Sequence, residues 1–91
     1  MRKRVELKIY GKVQGVFFRD STRAKGEELH LSGWVRNEPD GTVQIVAEGA
    51  DRDLNSMIEW CKYGPDHAVV EKVDVKWLEP SGESGGFKIV I

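Results

Sequence analysis

The chain has 91 residues, which suits one domain around a single core. Hydrophobic residues make up 40% and charged residues 32%, so the sequence reads as a folding, soluble chain and not a disordered one; no apolar run approaches membrane-spanning length. A net charge of −1 argues against a general electrostatic footprint for nucleic acid, and the single cysteine excludes an internal disulfide and a zinc cluster.

Val5, Leu7 and Ile9 alternate with Glu6, Lys8 and Tyr10, the pattern of a half-buried strand. The same alternation is too polar for a signal-peptide core, despite the basic start at Arg2, Lys3 and Arg4. With one thiol and no leader, the expected compartment is a reducing cytoplasm. A glycine-bearing loop follows and runs straight into a helix from Phe18 to Leu29. Phe18, Thr22, Gly26 and Leu29 form its apolar stripe, and Gly26 allows close approach to a sheet.

Ser32-Gly33 ends that helix, and Trp34 to Asn37 reads as a second strand. Glu38-Pro39-Asp40-Gly41 has turn chemistry and joins it to a third strand, Thr42 to Glu48, with Val43, Ile45 and Ala47 on one face. Leu54, Met57, Ile58 and Cys61 then make a clean helical stripe. Asp51 and Asp53 crowd its start and Gly64-Pro65 stops it. Val73, Val75 and Trp77 mark a fourth strand. Ser81 to Gly86 is a flexible turn, and Phe87, Ile89 and Ile91 give a short last strand. The order βαββαβ plus a terminal strand predicts one domain over residues 1–91. The expected architecture is a ferredoxin-like α+β sandwich, two helices on one face of an antiparallel sheet.

The chemistry concentrates between residues 11 and 19, Gly11-Lys-Val-Gln-Gly-Val-Phe-Phe-Arg19. A glycine loop feeding a helix start presents outward N–H groups and a dipole that favours anions. Gly15 leaves the backbone open to close approach, and Arg19 offers a planar fork that matches two oxygens at once. A plain turn followed by a solvated arginine accounts for the same residues. The Walker spacing and its Lys-Ser/Thr pair are absent. The first helix climbs about 18 Å at ~1.5 Å per residue, and Gly33 to Asn37 returns roughly 16 Å at ~3.3 Å per residue. Asn37 should therefore come back level with Arg19, either to hold a water against a bound group or simply to cap the coming turn.

These residues resemble a family. Gly11 to Arg19 is similar to the first signature of the acylphosphatases, and Gly33-Trp-Val-Arg-Asn37, continuing through Gly41, Val43 and Gly49, is similar to the second. Spacing and element order agree along essentially the whole chain. The resemblance implies hydrolysis of small acyl phosphates to a carboxylate and inorganic phosphate, without metal or organic cofactor. It implies that Arg19 and the backbone of Gln14, Gly15, Val16, Phe17 and Phe18 bind the phosphate, and that Asn37 orients the attacking water. Neither motif holds an obvious base, so the substrate's own phosphate is the expected proton acceptor.

Other candidates read as structural. His30 and His67 are expected at the surface, Cys61 in the core, and Asp51 and Asp53 as helix-start charges. Trp34, Trp60 and Trp77 read as packing residues, with a lip around the substrate's acyl end as the alternative for one of them. An RNA-binding sheet would need an RNP1 pattern, and a metallochaperone would need C-x-x-C; neither is present. The remaining alternative is a non-catalytic phosphate-binding module, or one related to carbamoyl phosphate chemistry in a larger protein. The expected partner is a small acyl phosphate substrate, with no nucleic acid and no membrane, and the expected state is a monomer.

Overall fold

Residues 1–90 are described by a computed structural model of the chain. The first alternating segment becomes β1 (Arg2–Lys12), and its length lets it serve as an interior strand. It pairs antiparallel with β3 (Val43–Ala50) on one side and β4 (Val69–Leu78) on the other. Beyond β3 lie β2 (Ser32–Asn37) and β5 (Phe87–Ile89), so the sheet order is β4-β1-β3-β2-β5. Ile91 of the expected last strand lies outside the described residues.

Both helices cover the same face. Helix α1 (Phe18–Glu28) packs on β2 and β5, and α2 (Asp51–Cys61) packs on β1 and β3. The predicted stripes are the buried ones: Phe18, Thr22 and Gly26 from α1, and Leu54, Met57 and Cys61 from α2. They meet Val5, Leu7, Ile9, Val35, Val43, Ile45 and Ala47 of the sheet in one core. Gly26 is needed for that approach, since a Cβ there would lie 2.4 Å from Cδ2 of Phe87.

Two details depart from the sequence reading. The sheet is mixed, because β5 runs parallel to β2. The reason lies in the route of the chain. Strand β4 ends on one edge beside Arg4, and β5 begins on the other edge beside Gly33. The connection crosses the sheet at a single end, so β5 must start where β2 starts. The second departure concerns Val75 and Trp77, which share the helix-covered face through their pairing with Leu7 and Val5. They remain 42% and 45% exposed because α2 sits over β1 and β3 and leaves edge strand β4 uncovered. Trp77 is therefore not a core residue; Lys3 Nζ lies 5.6 Å from its ring centroid.

The crossing segment is held by Glu48, which lies on the helix-free side of the sheet and is fully buried. Its carboxylate accepts hydrogen bonds from the backbone N–H groups of Ser81 (3.0 Å) and Gly82 (2.8 Å) and from the Ser81 hydroxyl (3.1 Å). Arg2 Nε and Arg4 Nη1 each donate at 3.0 Å. Burial alone would raise the carboxyl pKa. The donors outweigh it and hold the group at about 2, below the usual 4.5.

Because the folded value is depressed, this contribution is fully present above about pH 4.5 and is lost as pH falls through about 2. Glu48→Gln leaves Arg2 and Arg4 without their buried partner. The expected cost is about 3 kcal/mol, the scale for breaking a buried ion pair. Urea denaturation at pH 7 and at pH 2.5 should show the gap between wild type and variant narrowing at the lower pH.

Candidate active site

At the opposite end of the sheet, β1 hands over to the loop that precedes α1. Two residues turn the chain there with positive φ: Gly15 at 74° and Phe17 at 65°. A Cβ on Gly15 would meet nothing within 4 Å, so glycine is favoured there by the backbone angle and by the open space it leaves. Phe17 occupies the N-cap position of α1 and makes no side-chain capping bond. The first amides of α1 therefore have neither an intrahelical acceptor nor a side-chain cap, and they remain available to a ligand.

Val13, Gly15, Phe17, Phe18, Arg19, Asp20, Asn37 and Ile89 line a cleft of about 450 Å³ at this end. The structure thus brings Arg19 and Asn37 together, as the opposing lengths of helix and strand predict. Arg19 is exposed and takes part in no ion pair among the described residues. Its cation and the positive end of the α1 dipole act in the same place, and no ion pair with a described residue neutralises the cation. Asn37 is half-buried, and its Oδ1 is sealed from solvent with no hydrogen-bond partner among the described residues. A buried acceptor left open in this way needs a donor from whatever occupies the cleft.

Gln14 plays a part that its sequence position does not reveal. Its side-chain Nε2 donates to the carbonyl oxygens of Glu38 and Thr42, each at 2.9 Å. Both hydrogens of the amide are thereby committed to the β2–β3 turn. That turn is closed by Glu38 N–H to Thr42 C=O at 2.8 Å and Gly41 N–H to Glu38 C=O at 3.1 Å. Asp40 braces it further, accepting from the Thr42 N–H at 3.0 Å and the Thr42 hydroxyl at 2.6 Å, with Lys8 Nζ at 3.0 Å. The Thr42 bonds, with Lys8 beside them, hold the Asp40 carboxyl at about 2. Because Glu38 follows Asn37 directly, the Gln14 amide ties the glycine loop to the peptide next to Asn37.

Residues read as bystanders stay outside the cleft. His30 is exposed at the end of α1 with φ 59°, and His67 is exposed between α2 and β4. Cys61 is buried, and desolvation pushes its thiol far above the usual range, so it is no nucleophile. Asp51 pairs with Lys3 at 3.5 Å at the start of α2. None of the three tryptophans lines the cleft: Trp60 packs against Phe18 at 5.5 Å and Trp34 stacks under Arg36 at 5.0 Å. The lip positions belong instead to Phe17, expected from the sequence only as a backbone contact to the phosphate, and to Ile89, read from the sequence only as part of a strand. Asp20 was also passed over. Its place in the first turn of α1, beside Arg19, was the available signal.

Gln14→Glu should be the most harmful isosteric change in the loop. A carboxylate would replace a double donor opposite two carbonyl oxygens, at a cost of about 2 kcal/mol, the scale of a lost bond plus an uncompensated charge. Urea denaturation compared with Gln14→Met, which removes the bonds without the charge, measures the difference.

Comparison with known proteins places the chain in a family. The acylphosphatase family model matches residues 5–89. An acylphosphatase from Syntrophus aciditrophicus is 48% identical over 99% of this chain and 94% of its own length. One from Rubrobacter xylanophilus is 51% identical over 96% of this chain and 79% of its own. The crystal structure of an acylphosphatase from Bacillus subtilis superposes with a TM-score of 0.94 at 33% identity, covering all of both chains. With the fold, the cleft and the paired Arg19 and Asn37 in place, the chain belongs to the acylphosphatase family and is a hydrolase of acyl phosphates.

Proposed function

We propose that the cleft performs this hydrolysis with Arg19 and Asn37 in separate roles and without a metal. The phosphate of the substrate sits against the backbone of Gln14, Gly15, Val16, Phe17, Phe18 and Arg19, with the Arg19 guanidinium across two of its oxygens. Gln14 contributes through its main chain, since its side-chain donors are committed to the turn. A water donates one hydrogen to Asn37 Oδ1 and attacks phosphorus in line with the acyl oxygen. The new P–O bond forms as the P–O(acyl) bond breaks. The carboxylate leaves with the electron pair, and the water's proton passes to a phosphate oxygen. Arg19 and the amides stabilise the charge on the equatorial oxygens throughout.

The observation that carries this reading is the sealed Oδ1 of Asn37, without a partner among the described residues, in the same cleft as an arginine that pairs with no described residue and a helix start. A carboxylate is a good leaving group, so no general acid is required. The protein acts as a cytoplasmic monomer on small acyl phosphates, with no nucleic-acid or membrane partner. In support, no helix among the described residues is long and apolar enough to cross a membrane, and the net charge is −1.

Arg19→Ala should weaken inhibition by inorganic phosphate and turnover together, and Arg19→Lys should not restore them, because a point charge cannot reproduce the fork. Asn37→Ala should leave the phosphate inhibition constant nearly intact while kcat falls roughly 10²-fold or more, as for loss of one positioned polar group. Equal weakening of phosphate binding by the two alanine variants would refute the division of roles.

Among the described residues Asp20 is the one carboxylate in the cleft lining and the rival proton acceptor. If the substrate takes the proton, Asp20→Asn should keep kcat within a few-fold of wild type, as should the pair His30→Ala with His67→Ala. Chelator should have no effect on either. A hundredfold fall in kcat for any of these, with the protein folded, assigns the proton or the charge to the protein or to a metal instead.

A further inference from the structure

The cleft lining carries two charged side chains of opposite sign among the described residues, Arg19 and Asp20. Arg19 suits a phosphate. Asp20 does the reverse, because a carboxylate repels a phosphate dianion. An acid in the first turn of α1 gains a little from the helix dipole, and that is the whole of its structural use here. Asp20 is exposed and joins no ion pair among the described residues. Its natural partner one turn on, Arg23, lies 3.4 Å from Glu27 instead, and Lys25 lies 3.3 Å from Glu28. The cations of α1 are thus spent further along the helix, and the negative charge of Asp20 is left facing the cleft.

The size of the cleft shows what that charge can meet. The cleft holds about 450 Å³, and a phosphate of five heavy atoms fills only a small part of that, given roughly 30 Å³ for each water in the liquid. The remainder takes the acyl portion of the substrate. Phe17 and Ile89 at the mouth are uncharged, and Arg19 is committed to the phosphate. Asp20 is therefore the formal charge that the acyl portion meets. A substrate with a phosphate at one end and a cation at the other would complement Arg19 and Asp20 together.

We propose that Asp20 sets the charge preference of the cleft for the acyl group: it favours acyl phosphates whose acyl portion carries a cation, such as an ammonium group, and disfavours those that carry a second carboxylate. This rests on the phosphate placement proposed above. Asp20 acts on the substituent of the leaving carboxylate and takes no proton from the water.

The test uses three benzoyl phosphates that differ at the para position, with a methyl, a carboxylate or a trimethylammonio group. For each protein, kcat/KM of the two charged substrates is divided by that of the methyl substrate. Comparing these ratios between proteins cancels differences in leaving-group basicity and any repulsion between Asp20 and the phosphate itself. In Asp20→Asn the ratio for the carboxylate substrate should rise roughly three- to fivefold and that for the cationic substrate should fall by a similar factor, the scale of one unit-charge contact in water. The change should appear in KM, and Asp20→Lys should carry both ratios further in the same directions. About 1 M salt should bring wild type and Asp20→Asn together, since exposed charges are screened there. Asp51→Asn, which removes the same charge at the start of α2 and outside the cleft, should leave both ratios at their wild-type values. Ratios unchanged in Asp20→Asn, or shifted as much by Asp51→Asn, would overturn the proposal. So would an equal loss on all three substrates, which would assign Asp20 to the reaction itself. Hydrolysis of none of the three by wild type would instead overturn the reading of the site on which the proposal rests.

Discussion

The site depends on a match of lengths. An eleven-residue helix carries the chain about 16 Å away from the loop at ~1.5 Å per residue. A six-residue strand returns it about 20 Å at ~3.3 Å per residue. The two ends of this excursion, Arg19 and Asn37, therefore face one cleft although they lie far apart in sequence. The register of β2 against β3, with Asn37 opposite Val43, fixes where the strand stops. A slip of one residue would turn Val35 out of the core and carry Asn37 away from the loop. Packing thus sets the geometry of the cleft, and the buried face of β2 does the setting.

The two ends of the sheet divide the work. The end distal to the cleft is closed by Glu48 and the segment it holds, a densely satisfied polar knot. The cleft end keeps polar groups without partners among the described residues: the first α1 amides, the Arg19 cation and Asn37 Oδ1. The Gln14 bridge is the exception at that end, and it satisfies carbonyls that belong to the frame. Such an arrangement lets the site hold open groups at a free-energy cost that the far end of the fold offsets.

Much of this was legible in the sequence because it rests on local periodicity. The stripes of Phe18, Thr22 and Gly26 and of Leu54, Met57 and Cys61, the Pro39-Asp40-Gly41 turn, and the meeting of Arg19 with Asn37 all follow from spacing. What was not legible depends on partners distant in the chain. The direction of β5 is decided by which edge the connection reaches, and no pattern within residues 79–86 encodes that. Glu48 reads as an outward strand position until Ser81, 33 residues later, donates to it. Gln14 reads as one more loop residue, and its acceptors are backbone atoms with no sequence signature. Phe17 reads as part of the phosphate loop, and nothing in the sequence shows that its left-handed backbone leaves the ring exposed at the cleft mouth.

Strand β4 pairs with β1 and leaves its other side without a neighbour. An unprotected edge of ten residues bearing Val75 and Trp77 would be a template for strand addition by further copies of the chain. Two features blunt it. Glu71, Lys72, Asp74 and Lys76 are all exposed along the strand, so an incoming segment would have to desolvate alternating charges. The register shift between Tyr10 and Gly11, where two β4 residues are passed for one of β1, adds a bulge that twists the edge away from flat pairing. The small enzyme thereby leaves its outermost strand uncovered by a helix while resisting growth into a fibril.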